Sequence, residues 1–207
     1  MARSGRYRVK FRRRREGKTE YRKRLALLKS GLPRMVVRKT NRYIIVQFVE
    51  TKLDGDRVLA YAFSKELTKY GWPYSGKCLP AAYLTGLLAG YRALRAGVRR
   101  AVLDIGRHPS TRGSRIYASL KGALDAGVEV PHGEEILPDE DRIRGVHIAS
   151  WARELREKDQ DRYEKIFSGY IRAGADPEDM PEMFSKVLER IRGEFISGGE
   201  DGEAGWA

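Results

Sequence analysis

The sequence predicts an α/β fold: a three-strand antiparallel meander followed by two αβ units in a layered domain, with a basic N-terminal arm and a helical C-terminal extension. Three β-rich runs, 34–39, 43–49 and 57–63, are separated by short turns at Thr40-Asn41-Arg42 and Leu53-Asp54-Gly55-Asp56, the spacing of hairpin-connected strands. Two later segments end alike, Ala93-Leu94-Arg95-Ala96-Gly97-Val98 and Ala123-Leu124-Asp125-Ala126-Gly127-Val128. Each reads as a helix end, a glycine stop and an apolar restart. Two such units on a meander make a layered α/β domain, over residues 31–130. The charge is also segregated. Residues 1–39 hold sixteen Lys/Arg against two acids, Glu16 and Glu20, while the whole chain of 207 residues carries +13. The basic surplus therefore belongs to one segment.

That surplus narrows the partner. A pI near 9.9 points to a polyanion, with nucleic acid ahead of a membrane surface. Residues 41–126 hold fourteen bases and six acids, and residues 127–207 eleven bases and twenty acids, so one end suits nucleic acid and the other solvent or protein. The single Cys78 excludes an internal disulfide and a multi-cysteine zinc site. His108, His132 and His147 are too widely spaced for a ligand motif, and neither a cofactor nor a metal is expected. No apolar run is long enough to span a bilayer, and no apolar stretch follows the first positive residues as in a secretory signal. The expectation is a soluble intracellular protein.

Residues 1–30 read as a basic arm and a short helix. Arg3, Arg6, Arg8, Lys10, Arg12, Arg13, Arg14, Arg15 and Lys18 are candidate phosphate contacts, because a guanidinium fork gives two parallel hydrogen bonds to phosphate. Tyr7 and Phe11 can stack on unpaired bases. With so few apolar residues, 1–18 should be mobile alone and ordered by its partner. The helix over 19–30 has Thr19 as cap, Leu25 and Leu28 on one face, and Gly31 as terminator. Arg22, Lys23 and Arg24 line its other side as further contacts.

The first hairpin gathers Arg38, Lys39, Asn41 and Arg42 at its tip, with Asn41 available for a positive-φ position. Residues 71–78, Gly-Trp-Pro-Tyr-Ser-Gly-Lys-Cys, match the spacing of a phosphate loop. Yet Cys78 stands where Ser or Thr must ligate magnesium, and Pro73 removes a backbone donor. The plainer reading is a loop into the next helix, with Lys77 free to touch phosphate. Residues 79–96 form the main core helix, striped by Leu84, Leu87, Leu88, Tyr91 and Leu94. Ala82, Gly86 and Gly90 make a row of small residues that lets a helix sit close on a sheet. A buried strand over 99–106 leads into a basic loop with Arg107, His108, Thr111 and Arg112 as candidate contacts. Arg115 follows at the start of a helix over 114–126. Residues 131–196 read as a helical extension, its helices beginning with one over 139–157. The acidic, Gly-rich 197–207 reads as disordered.

A meander followed by αβ units is also the outline of ribonuclease-H-like nucleases, which need a carboxylate on the first strand to hold magnesium. Here that strand is Met35-Val36-Val37-Arg38-Lys39. Asp104, near the end of a buried strand, is expected to orient the 106–113 loop. Asp54 and Asp56 fit a turn, and Asp125 an exposed helix position.

The hairpin 34–47, the helix start Ala81-Ala82-Tyr83-Leu84-Thr85-Gly86 and the strand Ala101-Val102-Leu103-Asp104-Ile105-Gly106 together resemble the 5S-rRNA-binding ribosomal protein eighteen family of the large subunit. The resemblance is closer to its archaeal branch, related to the eukaryotic 5S-binding protein, and covers arm, core and extension. It implies a non-enzymatic protein of the large ribosomal subunit in the cytoplasm. Such a protein binds 5S rRNA, helps attach it to the large-subunit rRNA in the central protuberance, and neighbours ribosomal protein five of the large subunit. Bacterial members read Asp-Arg-Gly before a Tyr/His-Gly-Arg loop. This chain has Asp104-Ile105-Gly106 and then Arg107 to Gly113, so its loop arginines are shifted. Two other readings stay open: a metal-dependent nuclease, and a general polyanion-binding protein outside the ribosome.

Overall fold

The computed structural model describes residues 4–196. Arg3 and the tail expected to be disordered, 197–207, lie outside the described residues. In the arm, α1 (Arg12–Arg15) is one helical turn and α2 (Tyr21–Leu28) a short helix. Within the arm Phe11 lies against the Tyr21 ring at 5.4 Å and Arg13 Nε donates to Thr19 Oγ1 at 2.8 Å. The helix starts two residues later than expected. Glu20 stands at its N-cap without a side-chain cap bond, so Thr19, occupied by Arg13, does not cap it. Leu25 is exposed, while Leu27 and Leu28 are half-buried and Leu27 lines the hollow between the helix and the sheet.

The meander is as expected: β1 (Arg34–Lys39), β2 (Ile44–Thr51) and β3 (Asp56–Phe63) pair antiparallel in sequence. The chain then crosses through a 3-10 turn over Ser64–Tyr70 and α3 (Leu79–Arg95) to β4 (Val102–Asp104), which lies parallel to β1. The sheet order is β3-β2-β1-β4. The first turn needs no positive φ at Asn41, since among the described residues only glycines have positive φ. Instead Thr40 closes it: its Oγ1 accepts from the Tyr43 N–H at 2.9 Å, and its own N–H donates to the Tyr43 carbonyl at 2.8 Å. A hydroxyl doing the work of a backbone acceptor lets ordinary residues occupy the turn. At the second turn Asp56 belongs to β3.

Side-chain alternation sends Met35, Val37, Ile44, Val46, Phe48, Ala60 and Ala62 to one buried face, where α3 and α4 (Arg115–Asp125) cover them. Burying one such aliphatic side chain stabilises the fold by roughly 1.5–3 kcal/mol. The row of small residues in α3 serves the neighbouring helix rather than the sheet. A Cβ on Gly86 would run into the Ser119 carbonyl, and one on Gly90 would stand 2.6 Å from the Ala126 Cβ. Gly122 of α4 answers from the other side, against the Tyr83 carbonyl. The second αβ unit is abbreviated: among the described residues after α4, only Glu129 bridges to the sheet region, in parallel to Arg100. Pro131 follows two residues on and has no N–H to continue a ladder.

At the opposite side of the sheet β3 is the edge strand. Two of its backbone groups are held by side chains. Arg92 Nη1 donates to the Tyr61 carbonyl at 2.7 Å, and the Phe63 N–H donates to Glu66 Oε1 at 2.9 Å.

The extension comprises α5 (Glu140–Arg144), α6 (Val146–Lys158), α7 (Gln160–Arg172) and α8 (Met180–Ile196). The single helix expected over 139–157 breaks at Gly145, whose φ of +85° ends α5 with a left-handed residue. Met180, Phe184, Val187 and Ile191 of α8 join the main core beside α3. Ala152, Leu155, Tyr163 and Phe167 make a smaller cluster between α6 and α7.

Candidate nucleic-acid interface

In the parallel pair, β1 and β4 both end at the same margin of the sheet. The hairpin tip, the 106–113 loop and the start of α4 therefore converge there. His108 marks the meeting point. Burial, and then the charges of Lys39, Arg38 and Arg115, push its imidazole below the ordinary value of 6.5, which places it among cations of β1 and α4. Arg115 Nη1 donates to the Lys77 carbonyl at 3.2 Å, tying the 71–78 loop to the same margin. The arm arrives from the other side, where Arg107 Nη1 lies 3.0 Å from the Cβ position of Gly17.

Beneath this margin a chain of ion pairs fastens the arm to the sheet. Arg24 of α2 grips both oxygens of Asp56, at 2.8 and 2.9 Å. Arg34 donates to Asp56 at 2.7 Å and to Asp104 at 2.8 Å. Arg38 reaches Asp104 Oδ1 at 3.1 Å and the Asp104 carbonyl at 2.8 Å. Asp104 Oδ1 also accepts from the Gly106 N–H at 2.8 Å, so the aspartate does orient the start of the loop. Gly106 sits at φ +62°, with the Arg38 guanidinium 2.9 Å from where a Cβ would stand. A larger residue would meet that cation. Burial alone would raise the Asp104 carboxyl. The Arg38 charge, the Gly106 N–H and the hydrogen bonds from Arg38 and Arg34 outweigh it and hold it below the ordinary 3.8. Asp56 is likewise held low, burial being outweighed by Arg34 and Arg24.

The expected cationic contacts thus fall into three groups. Arg24 and Arg38 are committed to carboxylates of this chain. Arg6, Arg8, Lys10, Arg14, Arg15, Arg22, Lys23, Lys39, Arg42, Lys77, Arg107 and Arg112 have no ion-pair partner among the described residues, while Arg12 and Lys18 share Glu16 at 3.7 and 2.9 Å. Tyr7 and Phe11 are exposed, as are Asn41 and Thr111. Sequence reasoning passed over Lys65, which lines one hollow with Arg42 and Lys77. It also passed over Asp56, read as a turn residue.

Asp56, Asp104 and Asp125 all have cationic partners. Asp125 accepts from the Tyr83 hydroxyl at 2.8 Å and Lys121 at 2.7 Å. The first strand offers no carboxylate for a metal, and two guanidinium groups occupy that of Asp104 on β4. Cys78 is no phosphate-loop ligand: its Sγ lies 3.0 Å from the Ser75 carbonyl, and burial pushes the thiol up to about 12. A margin of unpaired cations with exposed aromatics is suited to gripping a polyanion.

A family described as "Ribosomal large subunit proteins 60S L5, and 50S L18" matches residues 5–99 and 96–133. The chain is 70% identical over 191 residues to the large ribosomal subunit protein uL18 of Korarchaeum cryptofilum (strain OPF8), covering 92% of this chain and 97% of that protein. It is 55% identical over 192 residues to the protein of the same name from Aeropyrum pernix, covering 92% of this chain and 90% of the relative.

Proposed function

The chain belongs to the uL18 family of large ribosomal subunit proteins, and from that premise we propose that it binds 5S rRNA and helps attach it to the large-subunit rRNA in the central protuberance. As a family member it is a structural ribosomal protein rather than an enzyme, and its place is the cytoplasmic large subunit. Ribosomal protein five of the large subunit and other central-protuberance proteins are the proposed protein neighbours.

One observation carries the reading: the unpaired cations of hairpin tip, 106–113 loop and arm meet at one margin of a rigid sheet. The arm supplies sequence-independent neutralisation, and the margin supplies a fixed shape. Phosphate contacts of the first kind position a protein without reading sequence. A folded RNA is then told from others by its shape against the margin.

A salt series of filter binding with transcribed 5S rRNA tests this. Ten neutralised phosphates give a log–log slope of roughly −7 to −9. Deleting residues 1–18 should weaken binding strongly and flatten the slope, with circular dichroism unchanged. A nearly flat slope for the whole chain, or equal affinity for unrelated duplexes, would overturn the reading.

A further inference from the structure

Between the hairpin tip, the 3-10 turn and the 71–78 loop lies a hollow of about 450 Å³. Its floor is partly aromatic, with Tyr43 half-buried at its surface and Trp72 and Tyr74 buried beneath. Tyr43 packs edge-on against Phe63 at 4.9 Å, and Trp72 meets Tyr74 in the same way at 5.1 Å. Tyr43, Trp72 and Tyr74 all line the hollow. Gly76 lets the loop close on this floor, since a Cβ there would stand 2.9 Å from both Tyr43 Cδ1 and Ser64 Oγ. The rim is cationic. Arg42, Lys65 and Lys77 come from three separate elements, all three are exposed, and none has an ion-pair partner among the described residues.

We propose that this hollow receives one nucleotide extruded from the bound RNA, its base on the Tyr43 side of the aromatic floor and its flanking phosphates on Arg42, Lys65 and Lys77. The proposal rests on the reading of the protein as a 5S rRNA binder and adds a defined subsite to it. A continuous duplex keeps its bases stacked and offers only phosphate ridges, which an aromatic floor cannot use. An unpaired nucleotide offers a flat apolar face and an anionic backbone together, the combination that single-stranded RNA sites recognise. The volume is within the range of pockets that enclose small molecules, roughly 300–1,000 Å³. Asn41 at the rim carries the donor and acceptor needed at a base edge. The glycine-and-lysine spacing of residues 71–78 is thereby explained without a free nucleotide: Gly76 permits the close approach and Lys77 faces a backbone phosphate.

The test uses the full chain with transcribed 5S rRNA. Ultraviolet crosslinking of the complex, then nuclease and trypsin digestion and mass spectrometry, should place a nucleotide adduct on peptide 43–52 or 70–77. The surface variant Lys65→Gln/Lys77→Gln, whose second tryptic peptide runs from 70 to 92, should lose the adduct on both peptides, bind 5S rRNA about tenfold more weakly, and show a salt slope reduced by about 1.5. Adducts confined to the arm, or a variant with unchanged affinity and slope while the wild type binds tightly, would overturn the subsite and leave the 5S reading standing. A reduced slope with no adduct in either peptide would mean duplex phosphates dock there, and also overturns it. Absence of 5S binding by the wild type would remove both.

Discussion

Replacing Asp104 by asparagine keeps the shape of the side chain and removes the charge that two arginines share. Arg34 is only 3% exposed, so it cannot turn to water for compensation. Breaking a buried ion pair costs about 3–5 kcal/mol when the surviving charge stays buried. Here Arg34 keeps Asp56 at 2.7 Å. The side chain of Arg38 is 38% exposed, so its pair adds little. The expected loss is therefore about 3 kcal/mol, the low end of that range. Urea unfolding at pH 7, followed by tryptophan fluorescence, measures it, and the dependence on urea concentration should keep its slope. A loss below about 1 kcal/mol, no more than an ordinary neutral hydrogen bond, would refute the view that this carboxylate is a charged linchpin. The acid limb gives an independent check. Asp104 and Asp56 are held below the ordinary 3.8 in the folded chain, so the unfolded chain binds their protons first as pH falls. Their contribution is full above the unfolded value and drains away as pH drops through the folded one. The gap between wild type and Asp104→Asn should stay level from about pH 7 to 5 and narrow below about pH 4. A gap still undiminished at about pH 2 would contradict the assignment.

Two further outcomes follow from the helix layer and the loop. Gly86→Ala drives a methyl group into the Ser119 carbonyl, which belongs to backbone and cannot swing aside. Separation of α3 from α4 should cost about 2–3 kcal/mol and lower the melting temperature by roughly 5–10 °C, whereas Gly169→Ala, exposed inside α7 with open space around it, should raise it by about 2–4 °C. Cys78, its thiol pushed up to about 12 by burial, should react slowly with a thiol reagent at pH 8 in the folded protein and rapidly in urea. Equal rates would show that the loop opens readily.

The meander, the core helix and the location of the basic arm were legible because each depends on local periodicity or local charge. What was not legible depends on pairings between distant residues. Arg24 and Arg38 look like free cations in a basic segment. Only the fold brings Asp56 to the first and Asp104 to the second, across 32 and 66 residues. Asp56 follows a glycine and reads as a turn residue, yet it is the first residue of β3 and joins two arginines. The small-residue row in α3 announced a close approach but not to what, since Ser119 and Ala123 of α4 lie some thirty residues later. Lys65 escaped notice because no local cluster surrounds it. Its neighbours Arg42 and Lys77 come from other elements. Pro131, a visible signal, would have shortened the second αβ unit had its missing donor been weighed.

The guarded edge of β3 bears on the life of the chain before it meets RNA. An exposed edge strand is a template for pairing with another copy, and chains awaiting assembly are vulnerable to such pairing. Here Arg92 and Glu66 occupy backbone groups of that strand and are joined to each other at 2.7 Å, and Asp56 and Arg57 put charge at its first two positions. The β3 edge is thus blunted against strand pairing, while the margin that carries the unpaired cations stays open.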